Sequence, residues 1–258
     1  MTAAVRDTAW MVVRHQRNFV RQPIWLVFAL TQPIFWILLY SQLFRRVIDL
    51  PGFDTDSYVQ FLTPGIVVMT AFFGATWSGM SMIEDLDRGV VQRFLATPAR
   101  RSSLIASQVV HTAIVAIIQT VIILGISWLM GARVDRGVVG WIVVIFVASL
   151  VAAGWAGISH GTALLVRREE TLIAILNFFG LPLLFLSATL IAEPLMPDWM
   201  QWVAKFNPVQ WGVVAAREMS NLSTEWDRVG LYLGLLIAFV AATTALATRA
   251  FRVYRRTL

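Results

Sequence analysis

Residues 84–103 read EDLDRGVVQRFLATPARRSS. This is the longest charged segment between two very apolar ones. Ser57–Ile83 precedes it and Ser102–Ala132 follows it, and neither contains Asp, Glu, Lys or Arg. Inside the segment, Val90, Val91, Phe94 and Leu95 recur at i, i+1, i+4 and i+5, one face of a short helix. Asp87 is positioned to cap its start and Pro98 to stop it. Ser102 or Ser103 is positioned to cap the helix that follows. A short amphipathic helix held at the ends of two apolar spans is a docking device. Its apolar face must bury against something, and the lipid core is already filled by the spans. A soluble partner is the expected receiver. The alternative is a charged connector resting on headgroups.

Working outward, composition sets the class. The chain is 58% hydrophobic and 14% charged, against about 25% charged in soluble domains. Six uncharged runs can each cross a bilayer: Gln22–Phe44, Ser57–Ile83, Ser102–Ala132, Gly137–Val166, Thr171–Ala192 and Val229–Thr248. Each has at least 20 residues, enough for ~30 Å of hydrocarbon. Continuous apolar runs without alternation exclude a barrel, which leaves helices. The expected fold is therefore an all-α integral membrane protein with six transmembrane helices in one domain, residues 23–258. An amphipathic interfacial helix, residues 1–22, precedes it.

Charge orients the runs. Arg and Lys number 14 in segments 1–22, 84–103, 167–170 and 249–258, and 7 in 45–56, 133–136 and 193–228. The first group is expected in the cytoplasm, with both termini. The net charge of +6 is thus a topology signal and gives no reason to invoke nucleic acid. The absence of cysteine removes disulfides and thiolate chemistry. The first residues do not read as a cleaved signal peptide: four arginines precede the first apolar run, and no small-residue cleavage site follows it.

In residues 3–21, Arg6, Arg14, Arg17 and Arg21 fall within an arc of about 80° at 100° per residue. Val5, Ala9, Val12, Val13, Phe19 and Val20 lie opposite. Such a helix suits the membrane plane, arginines toward anionic headgroups. The fourth run is rich in small residues (Gly154, Ala156, Gly157, Ser159, Gly161), which suggests a helix packed in protein. Residues 193–228 are apolar for a loop, and Pro194, Pro197 and Pro208 cut them into short helices. Trp199, Trp202 and Trp211 suit an interface, and with Asn207 and Pro208 they are candidates for an outer gate formed by re-entrant or interfacial helices. A plain interfacial cap is the alternative.

Chemistry is sparse. Lys205 is the only lysine, in Ala204-Lys205-Phe206, so no G-x-x-x-x-G-K-[ST] phosphate loop exists here. If ATP drives this protein, another polypeptide binds it. His111 and His160 lie inside runs and are functional candidates by default. Each lies near the inner end of its run, and the leading explanation is a neutral histidine hydrogen-bonded to a neighbouring helix. Thr76-Trp77-Ser78-Gly79 approaches the G-x-S-G of rhomboid proteases without its first glycine, so a Ser78–His160 protease is a remote alternative. No Asp or Glu lies inside the runs, which weakens ion coupling. No catalytic, cofactor or metal site is expected.

The segment EDLDRGVVQRFLATPARRSSLI resembles the cytoplasmic loop of ABC-2-type exporter permeases, especially the daunorubicin-resistance permease group. Glu84, Asp85, Gly89, Arg93, Phe94, Pro98 and Arg101–Ser103 carry the match. Leu195–Glu218 looks like that family's stretch before the last span, where Pro and Trp precede an Asn-Pro and a short helix. The resemblance implies a permease that dimerises, as homodimer or heterodimer, and binds two ATPase subunits holding ATP and Mg²⁺. The coupling helix would seat in each ATPase through Glu84, Asp85, Arg88, Gly89, Val90, Val91, Arg93, Phe94, Leu95 and Pro98. It implies export of a lipophilic drug, lipid or glycolipid across a bacterial cytoplasmic membrane. Export of a polysaccharide, or a non-transport anchor or assembly role, are the alternatives.

Overall fold

The computed structural model describes residues 3–21, 23–44, 57–95, 101–132, 136–220 and 224–255. Ten α-helices occur in them: α1 (Ala3–Val20), α2 (Pro23–Leu43), α3 (Tyr58–Asp87), α4 (Val90–Leu95), α5 (Arg101–Leu129), α6 (Gly137–Val166), α7 (Glu169–Phe185), α8 (Asp198–Ala204), α9 (Pro208–Arg217) and α10 (Trp226–Arg255). Short 3₁₀ turns cover Glu193–Leu195 and Glu218–Ser220. Among the described residues there is no strand. Residues 45–56 and 133–135, expected as outer loops, lie outside them.

The expectation of six spanning helices is not met. Among the described residues, five helices are long and apolar enough to cross a membrane: α2, α3, α5, α6 and α10. The run Thr171–Ala192 supplies only α7, of 17 residues, which begins on the charged pair Glu169 and Glu170. At 1.5 Å per residue it reaches ~25 Å, short of ~30 Å of hydrocarbon. Pro182 lies in its last turns, and the helix ends at Phe185. Residues 186–192 continue as turns and bends, apolar in composition but not helical.

Side-chain pairings give the directions. Phe44 meets Tyr58, and Phe28 shares a cleft with Trp77, so α2 is antiparallel to α3. Ser81 meets Gln108 and Gly74 faces Gln119, so α5 is antiparallel as well. Trp155 stacks on Phe72 and Ser159 reaches Gly79, so α6 runs parallel to α3. Gly154 faces Phe239, Gly157 faces Thr243 and Gly161 faces Ala247, so α10 runs parallel to α6. Two consecutive parallel helices require a return between them. That return is α7 and the irregular segment 186–192, whose Thr189 carbonyl lies against Gly65 near the start of α3. One end of the bundle, the basal end, therefore gathers α1, the α3–α5 junction, the α6–α7 turn and the end of α10. The apical end gathers residues 186–220, 224 and 225.

Helix α3 is the axis. Two thirds of its membrane window is buried (67%), against 22% for α2 and 17% for α10. Polar atoms inside it are satisfied across the α3–α6 seam. The Ser159 hydroxyl donates to the Thr76 carbonyl at 2.8 Å and accepts from the Gly79 N–H at 2.9 Å. The indole N–H of Trp155 donates to the Thr76 hydroxyl at 2.8 Å. Unmet backbone groups are costly away from water, so these bonds fix the register of the seam.

The small residues of α6 face protein, as their number suggests. A Cβ on Gly157 would stand 2.7 Å from Thr243 Oγ1 and 2.9 Å from the Thr243 carbonyl carbon. Gly125 in α5 has nothing within 4 Å of its would-be Cβ. Gly157→Ala should destabilise the seam by roughly 1–3 kcal/mol through overpacking. Gly125→Ala should be neutral or stabilising, through helix propensity. Thermal unfolding of the solubilised chain checks this, and equal shifts for the two variants contradict it.

Candidate functional site

At the basal end the sequence features meet a defined joint. Helix α3 does not stop before the charged segment but runs through Glu84, Asp85 and Asp87. Asp87 is thus the last residue of α3 and not the cap of α4. Gly89 then takes φ +68°, the left-handed region that disfavours side chains, and α4 starts at Val90. The Arg88 and Gly89 N–H groups donate to Glu84 and Leu86 carbonyls. Arg93 turns back and donates from Nη2 to the Arg88 carbonyl at 3.1 Å. Because α5 begins at Arg101, Ser102 and Ser103 sit in its first turn, not before it. Pro98 lies outside the described residues, and Leu95 is the last residue of α4.

The apolar face of α4 is divided. Val91 is fully buried (0% exposed) in the chain's own core, and Phe94 is half-buried against that core. Val90 is half-buried, while Gln92 and Arg93 are exposed. Among the charges, Glu84 and Arg88 are exposed and pair with each other at 3.7 Å. Asp85 is engaged internally: it accepts from Arg14 of α1 at 3.1 Å and from Gln108 of α5 at 3.2 Å. This carboxylate ties α1, α3 and α5 together.

Helix α1 lies on the first turns of α5. The His15 ring centroid is 5.5 Å from that of His111, Phe19 meets the same ring edge-on, and the Ser107 hydroxyl reaches Met11 Sδ at 3.8 Å. Arg6, Arg17 and Arg21 are exposed, and so are Val5, Trp10, Val13 and Val20. His160 is fully buried and neither ring nitrogen has a hydrogen-bond partner, contrary to the expectation of a bonded histidine. The Ser78 hydroxyl donates to its own helix at Ala75, 2.7 Å away, so no Ser–His pair forms. Among the described residues no cluster of three His, Cys, Asp or Glu could hold a metal.

At the apical end, Asn207 joins two helices. Its side-chain oxygen accepts from the Val209 N–H at 2.9 Å, the N-cap of α9, and Pro208 occupies the first helical position. Its NH₂ donates to the carbonyls of Leu183 (2.5 Å) and Leu186 (2.9 Å), the orphan acceptors at the end of α7. The next residues are held the same way. The Ala188 N–H donates to Gln210 Oε1 at 2.6 Å, and Arg217 donates to the Ala188 carbonyl at 2.7 Å. Arg217 also lies 3.9 Å over the Phe61 ring. Burial pulls its guanidinium down to about 10, opposed by Tyr58 and Glu193, so it stays charged at neutral pH. Arg228 bridges Glu193 at 3.2 Å and Glu218 at 3.6 Å. The candidate gate residues thus separate. Asn207 and Pro208 are buried structural joints or lie beside one, and Trp199 and Trp202 are exposed (61% and 63%). Trp211 is half-buried and donates to the Lys205 carbonyl at 2.8 Å. For Gln210, Arg217 and Gln108 the one sequence signal is polarity beside apolar residues, and His15, between Arg14 and Gln16, carries none.

Two predictions follow from these contacts. Asn207→Asp preserves the N-cap acceptor but cannot donate to Leu183 and Leu186. It should destabilise at least as much as Asn207→Ala, by about 1–3 kcal/mol for unpaired buried groups. Rescue by Asp in thermal unfolding contradicts the double role. For His15, burial first and Arg14 second hold the imidazole down to about 4. The docked state therefore favours the neutral ring. Docking is complete above ~6.5, the ordinary histidine value, and weakens as pH falls toward about 4. Spin labels at Val13 and Val110 should show a broader distance distribution at pH 4.5 than at pH 7.5, and His15→Gln should reduce the change, since the Arg14–Asp85 pair that also holds α1 weakens as its carboxylate is protonated. An unchanged distribution in the parent contradicts it.

Comparison with known proteins adds the family. The model of the ABC-2 type transporter family matches residues 6–221. The chain is 31% identical over 205 residues to ycf38 of Cyanophora paradoxa, named as a transport permease, covering 79% of this chain and 70% of the relative. It is 27% identical over 252 residues to the daunorubicin resistance ABC transporter permease protein DrrB1 of Streptomyces coeruleorubidus, covering 96% and 87%. The linearmycin resistance permease protein LnrN of Bacillus subtilis is 28% identical over 189 residues, covering 72% and 47%. With the family match running from α1 to the last turn before α10, this all-helical, multi-pass membrane chain belongs to the ABC-2 type transporter family as a permease.

Proposed function

We propose that the chain is the membrane subunit of an exporter that moves a lipophilic drug, lipid or glycolipid outward, driven by two separate ATPase subunits that bind ATP and Mg²⁺. A second permease subunit completes the assembly. The basal end faces the cytoplasm of a bacterium, with both chain termini. The names of two relatives, which concern daunorubicin and linearmycin resistance, support a drug-resistance role. The arginine excess of the basal segments supports the orientation.

The observation that carries this reading is the joint at Gly89. The most buried helix, α3, ends there on a left-handed glycine and turns directly into α4. A force on α4 passes into the axis of the bundle and not into a surface helix. Val91 anchors α4 from inside. Phe94, Val90, Arg93 and the Glu84–Arg88 pair supply the face for the ATPase.

Gly89→Val imposes about 1–3 kcal/mol of backbone strain at positive φ. It should reduce export while leaving membrane insertion intact. Phe94→Ala should weaken ATPase co-purification more than Arg100→Ala, since aromatic anchors dominate interfaces. Co-purification and export at matched expression are the measurements. Parent-like behaviour of both Gly89→Val and Phe94→Ala makes the joint a mere connector. An intact chain that captures no ATPase supports the anchor alternative.

A further inference from the structure

A cleft of about 220 Å³ lies between α2, α3 and α5, walled by Phe28, Pro33, Phe73 and Trp77. Phe28 and Trp77 are exposed at 68% and 38%, so the cleft opens sideways, toward the apolar phase. Its polar lining is Gln32, Thr70 and Gln119; Gln32 is exposed and the Thr70 hydroxyl donates to the Ile66 carbonyl at 2.8 Å, which leaves Gln119 as the buried group without a partner. That residue is 4% exposed, it lines the cleft, and its Oε1 has no hydrogen-bond partner. Gly74 lies opposite, and a Cβ there would stand 3.3 Å from that oxygen. The glycine keeps side-chain bulk off that oxygen. A second cleft of about 340 Å³ shares Gly74, Trp77 and Val115 and continues toward the basal end, past His111, Ser81 and Glu84. The His111 Nδ1 there is also buried and unpartnered.

Gln119 is well inside α5, remote from both helix ends. An unpaired amide oxygen at that depth costs about 1–3 kcal/mol unless something donates to it. The acyl chain of a bilayer lipid has no donor to offer there, and water is excluded from hydrocarbon. We propose that this cleft binds an apolar molecule that delivers a hydroxyl or N–H donor to Gln119 within the membrane. The proposal deepens the reading of the chain as a permease for lipophiles and rests on it for the ligand class. Aromatic walls receive the apolar body, and the deep amide selects molecules whose donor lies in the body and not only at a headgroup. The adjoining cleft extends the site toward the α3–α4 joint.

The test is photolabelling of the full chain in phosphatidylcholine nanodiscs, with no ATPase present. One probe is a sixteen-carbon chain bearing a mid-chain hydroxyl and a diazirine. The other is its methyl ether, which cannot donate. The hydroxyl probe should label α3 and α5 peptides around Gly74 and Gln119 about fivefold more than the ether, the worth of one hydrogen bond. Both should label lipid-facing peptides of α10 equally. Gln119→Leu should reduce the ratio to one, and Gly74→Leu should remove cleft labelling by both probes, with α10 labelling unchanged. Equal labelling by the two probes in the parent overturns the proposal without recourse to any variant. Persistence of the ratio in Gln119→Leu overturns it too. Export without selective labelling removes this site and keeps the permease reading, whereas selective labelling without export supports the site and counts against that reading.

Discussion

Backbone amides in an apolar setting must find partners, and at the apical end they find them in the side chains of α9 and of its N-cap, Asn207. Asn207 closes the end of α7, Gln210 and Arg217 hold both sides of Ala188, and Arg228 ties the 3₁₀ turn at Glu193 to Glu218. Without these bonds the chain could not leave its helix at Phe185 while still covered by protein. The rest of the fold depends on that departure. Because α6 and α10 run parallel, everything after the α6–α7 turn must return to the apical end before α10 can start. A short helix plus a side-chain-capped irregular segment makes the return.

The bundle itself is organised by close approach. Gly79 and Ser159 bring α3 and α6 together, and Gly157 and Gly161 bring α6 against α10. In lipid no hydrophobic force favours helix over lipid, so packing and interhelical hydrogen bonds carry association. A rigid axis follows, with α3 at its centre. Helices α2 and α5 cover it on the other side and leave the lateral cleft around Gln119. The axis ends at the Gly89 joint, so the end of the chain richest in charge is also mechanically linked to its interior.

The basal end shows how one charged segment can hold several physical roles. Asp85 faces inward and binds α1 to α5, while Glu84, one residue earlier, faces out and pairs with Arg88. The two carboxylates look equivalent in sequence. On a helix, adjacent positions point about 100° apart, and only one direction meets Arg14 and Gln108. The same separation divides Val91, inside the core, from the exposed Gln92.

The sequence alone determined the class of this protein: apolar runs without alternation demand helices in lipid, and no phosphate loop is present. It also determined where α4 and α9 lie, because the periodicity of Val90–Leu95 and the Asn207-Pro208 pair are local signals with local causes. It misread Thr171–Ala192 as a spanning helix, since hydropathy measures the solvation of side chains and is blind to which backbone groups are satisfied from afar. Asn207, Gln210 and Arg217 are 15 or more residues beyond that run, and no window over the run contains them. Tertiary structure decided where α7 ends, the inward turn of Val91 and Asp85, and the unpartnered amide oxygen of Gln119. Each depends on which neighbour a side chain meets across helices, a distance in space that a one-dimensional pattern does not encode.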